Sequence, residues 1–176
     1  MKKLRLKKES FYKERDEELA KIPEDVDVVW VDEAGVQKEM NPTLGRAKRG
    51  IELYQETTGK RTIKDNIVVL YCNVIMLALC IFAWSTDSDW FCPWFEQSLI
   101  PLLKPNSVIV LDNASFHSKK YLPIIAEAYG HRILWLPKYS PDKNPIENVW
   151  GSMKTWLHNY SKYYTTIREP IHARFR

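Results

Sequence analysis

Three acidic side chains stand where they could form a metal-dependent active site. Asp32 and Asp112 each follow four apolar residues and precede a turn, in the matched stretches "VVWVDEAG" and "VIVLDNAS". Such runs predict buried strands, and open α/β sheets bind ligands at the carboxyl ends of their strands. If the two strands are neighbours, the carboxylates face each other and raise each other's pKa unless they share a cation. Either aspartate alone is explained as a cap of a strand–loop junction, but the matched pair favours a metal site.

The third acid, Glu147, lies in the proline-rich stretch "LPKYSPDKNPIENVW" and has two explanations. Asn144 is a good helix N-cap, Pro145 suits the first helical position, and Glu147 then falls where a capping-box carboxylate bonds a free backbone N–H. Alternatively, Glu147 completes an oxygen-rich site with the two aspartates, and Pro137, Pro141 and Pro145 fix its approach. Hard cations such as Mg²⁺ and Mn²⁺ prefer such a set of carboxylates.

The elements that must position these acids follow the order strand, hairpin, helix, strand, helix, strand, helix. This order predicts an α/β domain with a mixed sheet flanked by helices, and parallel pairing where helices intervene. We expect the first strand to end at Asp32 and to be broken by Gly35, and the helix after Asp112 to end at Gly130. The strand before Glu147 is "HRILWLP".

The apolar segment Ile67–Trp84 also has two explanations. Its only polar residue is Asn73, and it is long enough for a membrane-spanning helix. Its many Val, Ile, Tyr and Phe residues, and its division by Asn73, favour two buried strands joined by a tight turn. We therefore predict a hairpin and no membrane span.

The composition is that of one folded domain with a sizeable core. The chain has 176 residues, of which 45% are hydrophobic and 12% aromatic, which excludes a disordered chain. Three cysteines (Cys72, Cys80 and Cys92) lie in apolar runs without C-x-x-C spacing, so we expect buried thiols and neither a disulfide nor a zinc site. The net charge of +4 is compatible with a polyanionic partner. The residues that we predict to contact DNA are Arg46, Arg49, Lys60, Arg61, His117, Lys138, Lys143 and Lys154.

The three acidic blocks resemble those of mariner-type transposases, and most closely those of their bacterial insertion-sequence relatives. The likeness is carried by "VDEAG", "LDNASFH" and, above all, "LPKYSPDKNPIENVW", and extends from about Val28 to about Leu157. It implies an RNase H-like fold with a five-stranded sheet that combines an antiparallel hairpin with parallel strands. It also implies that Asp32, Asp112 and Glu147 are the catalytic metal ligands for two Mg²⁺ ions, for which Mn²⁺ can substitute. The implied activity is that of a DDE-type transposase or endonuclease, which hydrolyses phosphodiesters and transfers DNA strands in cut-and-paste recombination, commonly into TA targets.

The same resemblance implies the partners and the surroundings. The partners are double-stranded DNA, as transposon ends and as target, and a second copy of the chain in a synaptic complex. The location is the cytoplasm of a bacterium or archaeon, at the nucleoid, and not a membrane. Relatives carry helix-turn-helix domains before the first catalytic aspartate, and the segment before Asp32 is too short for them. We therefore expect a catalytic fragment, or a reading frame that works with a separate helix-turn-helix subunit.

The predicted organisation is a basic, charged helical extension over residues 1–24, a catalytic domain over residues 25–160 and a basic tail over residues 161–176. Two other functions stay open. One is an RNase H-like nuclease with another substrate, although such enzymes usually present a fourth carboxylate and Glu33 is expected on the opposite strand face from Asp32. The other is a non-catalytic DNA-binding remnant, although such a remnant would have lost an acid.

Overall fold

The structure is a computed structural model, which describes residue 13 and residues 16–37, 64–73, 75–136 and 144–174. Its centre is one mixed sheet with the strand order β3-β2-β1-β4-β5. Strand β2 pairs antiparallel with both β3 and β1, and β1, β4 and β5 are parallel. The predicted mixed five-stranded sheet is confirmed. The strands are β1 (Val28–Gln37), β2 (Lys64–Cys72), β3 (Ile75–Phe82), β4 (Val108–Leu111) and β5 (Arg132–Trp135).

The hairpin of β2 and β3 confirms the interpretation of the apolar segment as two strands. Asn73, between the strands, has a φ of 48°, which is the left-handed conformation that Asn tolerates in tight turns. The middle of β2, from Ile67 to Leu70, is completely buried, which explains why the segment is apolar on both strand faces. In the described residues, no helix has the length and apolar character that crossing a membrane requires.

Strand β1 is longer than the sequence predicts. Its parallel pairing with β4 stops at Val31 opposite Leu111, but its antiparallel pairing with β2 continues to Gln37. The prediction that the strand ends at Asp32 and breaks at Gly35 is therefore wrong. The strand continues because β2 supplies hydrogen-bond partners for the backbone of β1 beyond Asp32, and Gly35 pairs with Asn66. Asp32 lies in the strand, at the point where the parallel pairing ends.

Helices cover both faces of the sheet. The helix after β3 begins at Asp87, whose side chain accepts a hydrogen bond from the Trp90 amide at 2.9 Å. The helix between β4 and β5 ends at Gly130, which has a φ of 78°, and the His131 amide donates to the Ala126 carbonyl at 2.8 Å, as in a Schellman motif. The predicted stop at Gly130 is confirmed. Residues 16–20, before β1, are also helical. The helices after β1 are α1 (Ser88–Trp94), continued by a π-helical turn (Phe95–Leu99) and a 3-10 turn (Ile100–Leu102), α2 (Tyr121–Ala128), α3 (Ile146–Tyr160), a 3-10 turn (Ser161–Tyr163) and α4 (Arg168–Arg174).

The core has two parts, one on each face of the sheet. On the first face, α1, the π-helical turn and α2 pack against β1 and β4. On the second face, α3 packs against β2 through a stripe at helical spacing, and α4 adds further apolar side chains. Part of the segment predicted as a basic tail thus packs against the domain. The buried stripe of α3 consists of Ile146, Trp150, Met153 and Leu157.

The cysteines agree with the prediction of unpaired thiols. All three are free, with Cys72 buried and Cys80 and Cys92 half-buried. Burial raises the pKa of each thiol above its ordinary value, which makes these side chains poor nucleophiles.

Candidate active site

The structure brings Asp32 and Asp112 to the same edge of two neighbouring parallel strands. The register between β1 and β4 pairs Val31 with Leu111, so the next residue on each side is an aspartate. Both aspartates line an open cleft of about 560 Å³. The cleft is also lined by Glu33 and His117, and by Trp84 after the end of β3. The matched sequence motifs therefore meet at one site.

Asp32 is a largely buried carboxylate held by three hydrogen bonds. Its Oδ1 accepts from the Glu33 amide at 2.9 Å. Its Oδ2 accepts from the Trp150 indole Nε1 at 2.9 Å and, at a longer 3.4 Å, from the Asn144 side-chain amide. Burial raises the pKa of Asp32 to about 6, against the hydrogen bonds from Trp150 and Glu33, and the charges of Asp112 and Glu147 raise it further. A cation at this place would relieve both the burial of charge and the repulsion.

Asp112 is held by a buried histidine. The His117 Nδ1 donates to Asp112 Oδ1 at 2.9 Å, and the Ala114 amide donates to the same oxygen at 3.0 Å. Burial alone would raise the pKa of Asp112, but the hydrogen bond and charge of His117 bring it below its ordinary value. Burial likewise works against the charge on His117, yet its contacts with Asp112 and Glu33 raise its pKa to about 9. These contacts favour the protonated form of the His117 imidazole.

Glu33 approaches the same histidine from the other side. Its Oε1 lies 3.6 Å from His117 Nε2, and its side chain is 14% exposed. At that distance the contact is between charges and is not a hydrogen bond. The two side chains lie on opposite faces of the strand, as expected, because Asp32 contacts Trp150 of α3 while Glu33 contacts His117 on the other face of the sheet. Glu33 nevertheless lines the cleft together with Asp32 and Asp112, and it is a fourth carboxylate beside the three predicted acids, which the strand pattern alone did not indicate.

Glu147 lies in the first turn of α3 and is exposed. The Asn144 side chain accepts from the Ile146 amide at 3.2 Å, but no hydrogen bond joins the Glu147 carboxylate to Asn144. The capping box, which was the structural explanation of Glu147, does not form. The charge of Glu147 instead raises the pKa of Asp32. Asp32 is linked to α3 by the hydrogen bond from Trp150. Glu147 does not itself line the cleft.

The carboxylates of Asp32, Asp112 and Glu147 are suitable ligands for a hard divalent cation, although the three side chains do not converge on one point. Across the described ranges, no group of three His, Cys, Asp or Glu side chains is close enough together to hold a metal ion. The fit comes from the chemistry of the donors. Asp32, Asp112 and Glu147 offer only carboxylate oxygens, and their mutual repulsion contributes to the raised pKa of Asp32. Because the described residues that line the cleft offer carboxylates and include no cysteine, the site suits Mg²⁺ or Mn²⁺ better than Zn²⁺.

The predicted DNA contacts are only partly placed. Lys154 is exposed on α3, two turns beyond Glu147. His117 is buried, and its polar contacts are with the Glu33 carboxylate and with the carboxylate and backbone oxygen of Asp112. The other predicted contacts lie outside the described residues, and they are Arg46, Arg49, Lys60, Arg61, Lys138 and Lys143.

Sequence reasoning missed the polar role of Trp150. Trp150 lies three residues after Glu147 on the same helix, and its side chain is part of the core, with an exposed fraction of 3%. A signal was available, because a buried tryptophan usually finds a partner for its N–H, and Asp32 is that partner. The bond ties the start of α3 to β1 and thereby fixes where Glu147 lies.

The mixed five-stranded sheet, flanked by helices, has the predicted RNase H-like fold. The family model described as DDE superfamily endonuclease matches residues 27–169, and the chain belongs to that family. The predicted membership of a DDE-type endonuclease family is confirmed. A comparison with curated protein sequences gives no match.

Solved structures of the Mos1 mariner transposase share the fold. The chain is similar to Mos1 in its paired-end complex with the left transposon end, at 16% identity and a TM-score of 0.56 over 82% of this chain and 51% of that one. It is similar to the Mos1 catalytic domain, at 16% identity and a TM-score of 0.57 over 84% and 69%. It is also similar to the Mos1 catalytic domain with raltegravir and Mg, at 15% identity and a TM-score of 0.56 over 84% and 70%. The chain thus spans about half the length of the Mos1 chain in the paired-end complex.

Proposed function

We propose that this chain is the catalytic domain of a DDE transposase, which cuts and joins DNA phosphodiesters with divalent cations. The observation that carries the proposal is the meeting of Asp32 and Asp112 on neighbouring parallel strands, with Glu147 within electrostatic range. Membership of the DDE superfamily endonucleases supports the same chemistry.

In this proposal Asp32, Asp112 and Glu147 hold two Mg²⁺ ions, for which Mn²⁺ can substitute. Such ions lower the pKa of an attacking water or DNA 3′-hydroxyl and stabilise the leaving oxygen. The chain contributes two carboxylates that hydrogen bonds hold in place. Asp32 is held by the Glu33 amide and Trp150, and Asp112 is held through Oδ1. No serine or tyrosine nucleophile is needed, so no covalent protein–DNA intermediate is expected.

The proposed partners are transposon ends and target DNA, a second copy of the chain in a synaptic complex, and a separate helix-turn-helix subunit. The proposal further includes cut-and-paste transfer into TA targets and a location at the nucleoid of a bacterium or archaeon. It is supported by the basic stretches of the sequence and by the likeness to Mos1, which was solved in a paired-end complex with a transposon end.

A second function is favoured by one specific observation. An RNase H-like nuclease with another substrate usually presents a fourth carboxylate, and Glu33 is a candidate in the wall of the cleft. The two functions differ in their products. A transposase joins a DNA 3′ end to a target, whereas the nuclease only hydrolyses, and would prefer an RNA–DNA hybrid or a branched substrate.

The test is a cleavage and strand-transfer assay with Mg²⁺ or Mn²⁺ on supercoiled DNA, oligonucleotide ends and RNA–DNA hybrids. We expect metal-dependent nicking of DNA by the wild-type chain and its loss in Asp32→Asn, Asp112→Asn and Glu147→Gln. Glu127→Gln, an exposed acid on α2, is the matched control and should cleave normally. Cleavage that survives the loss of Asp32 and Asp112, or that is confined to hybrids, would contradict the transposase proposal.

A further inference from the structure

Aromatic rings pack around the imidazole of His117 next to the candidate metal site. Its side chain is 3% exposed. The ring centroids of Phe91 and Phe116 lie 4.5 Å from that of His117, and that of Trp135 lies 6.4 Å away. Rings on several sides leave the imidazole little freedom to rotate. The direction of its two nitrogens is therefore set by the core.

The Nδ1 nitrogen fixes the orientation of Asp112. It lies 2.9 Å from Asp112 Oδ1 and 3.1 Å from the Asp112 backbone oxygen. The Ala114 amide bonds the same Oδ1 at 3.0 Å. Within the part of the chain that the structure describes, the hydrogen bonds to this carboxylate all end on Oδ1. The arrangement stops the carboxylate from rotating and leaves Oδ2 as the oxygen available to a cation.

The Nε2 nitrogen faces Glu33. Glu33 Oε1 and His117 Nε2 are both buried, and neither has a hydrogen-bond partner among the described residues. They lie 3.6 Å apart, so the Glu33 carboxylate faces the side of the imidazole that Asp112 does not contact. A buried polar atom that faces no other polar group is costly, and each of these two atoms is the polar group that the other faces. Glu33 and Asp112 thus hold the imidazole between them.

We propose that His117 is a positioning residue, which is anchored by Glu33 and orients the Asp112 carboxylate for a divalent cation. This inference rests on the proposed metal-dependent function. It assigns Glu33 the role of an anchor and not of a metal ligand. It also predicts that the two nitrogens of His117 are not equivalent, because only Nδ1 contacts Asp112.

Two substitutions by amide side chains distinguish the roles of the two imidazole nitrogens. The amide nitrogen of Asn falls near the position of Nδ1, and that of Gln falls near the position of Nε2. His117→Asn therefore keeps a donor to Asp112, whereas His117→Gln keeps one towards Glu33. Mn²⁺ binding to the metal-free full chain, without DNA, is measured by electron paramagnetic resonance and by calorimetry. Thermal unfolding in EDTA is measured in parallel.

We expect His117→Gln and Asp112→Asn to weaken Mn²⁺ binding by about tenfold or more, as is typical when a residue that orients a metal ligand is lost. His117→Asn should stay within about threefold of the wild type, since it preserves the donor to Asp112. Glu33→Gln should weaken binding less than His117→Gln does. Glu127→Gln should leave it unchanged.

The proposal is overturned if His117→Gln binds Mn²⁺ as the wild type does, or if both amide variants lose affinity equally. It is also overturned if the wild type binds no Mn²⁺. If His117→Gln does not fold, Glu33→Gln decides: weaker binding by the folded variant supports the anchor, and unchanged binding refutes it. Mn²⁺ binding by a wild-type chain that cuts no nucleic acid would refute the proposed function and leave the role of His117 standing.

Discussion

Replacing Trp150 with Phe tests whether the contact between α3 and β1 positions the site. The change removes the indole N–H that donates to Asp32 Oδ2 at 2.9 Å and keeps an apolar ring in the core. What remains on that oxygen is the longer, 3.4 Å bond from Asn144. The substitution thus loosens Asp32 and the start of α3 together.

The magnitude follows from the lost contacts. A hydrogen bond to a charged group contributes about 1.5–3 kcal/mol, and the void left by the smaller ring costs about 1 kcal/mol more. We expect a destabilisation of roughly 2–4 kcal/mol, which lowers the Tm of a chain of this size by about 5–15 °C. The pKa of Asp32 should also rise, because the Trp150 hydrogen bond lowers it. The acid limb of the pH profile for nicking should therefore move to higher pH.

The assay combines thermal unfolding in EDTA with nicking of supercoiled DNA at increasing Mn²⁺ concentration. Trp150→Phe should need about 10–100 times more Mn²⁺ for half-maximal nicking. Trp156→Phe is the matched control, because Trp156 lies on the same helix and stacks on Tyr160, with ring centroids 4.9 Å apart. Equal effects of the two substitutions on the Mn²⁺ requirement and on the pH profile would refute a positioning role for Trp150.

Three further substitutions test separate contacts. Asp32→Asn should raise the unfolding free energy by roughly 2 kcal/mol near pH 7.5 in EDTA, because the raised folded pKa makes ionised Asp32 destabilising above about pH 6. The gain should vanish below about pH 4, where Asp32 is protonated in both states, and urea unfolding at the two pH values checks this. Glu147→Ala should abolish nicking yet cost at most about 1 kcal/mol, since no capping box is lost; a sharp drop in Tm with normal nicking would contradict it. Arg168 donates from Nη2 to Asp65 Oδ1 at 2.8 Å and from Nε to Asp65 Oδ2 at 3.2 Å. Arg168→Met should lower the Tm, because it leaves the buried Asp65 carboxylate without this partner, and adding Asp65→Asn should restore part of the loss.

Local patterns in the sequence determined most of the fold. Four-residue apolar runs predicted β4 and the start of β1, and Asn73 marked the turn of the hairpin. Gly130 marked the end of α2, because only a left-handed residue closes the helix there. These features depend on neighbours in the chain, and for that reason they are readable from it. Membership of the DDE family followed from three short blocks around the acids.

The tertiary structure decided how the acids are held. Strand β1 continues past Gly35 because β2, distant in sequence, supplies its backbone partners. Trp150 donates to Asp32 only because α3 packs across the sheet. Glu33 and Asp112 meet at His117 because β1 and β4 lie side by side. Each of these contacts joins residues from separate elements, and no spacing along the chain encodes which side chains will be neighbours once the two faces of the sheet are covered.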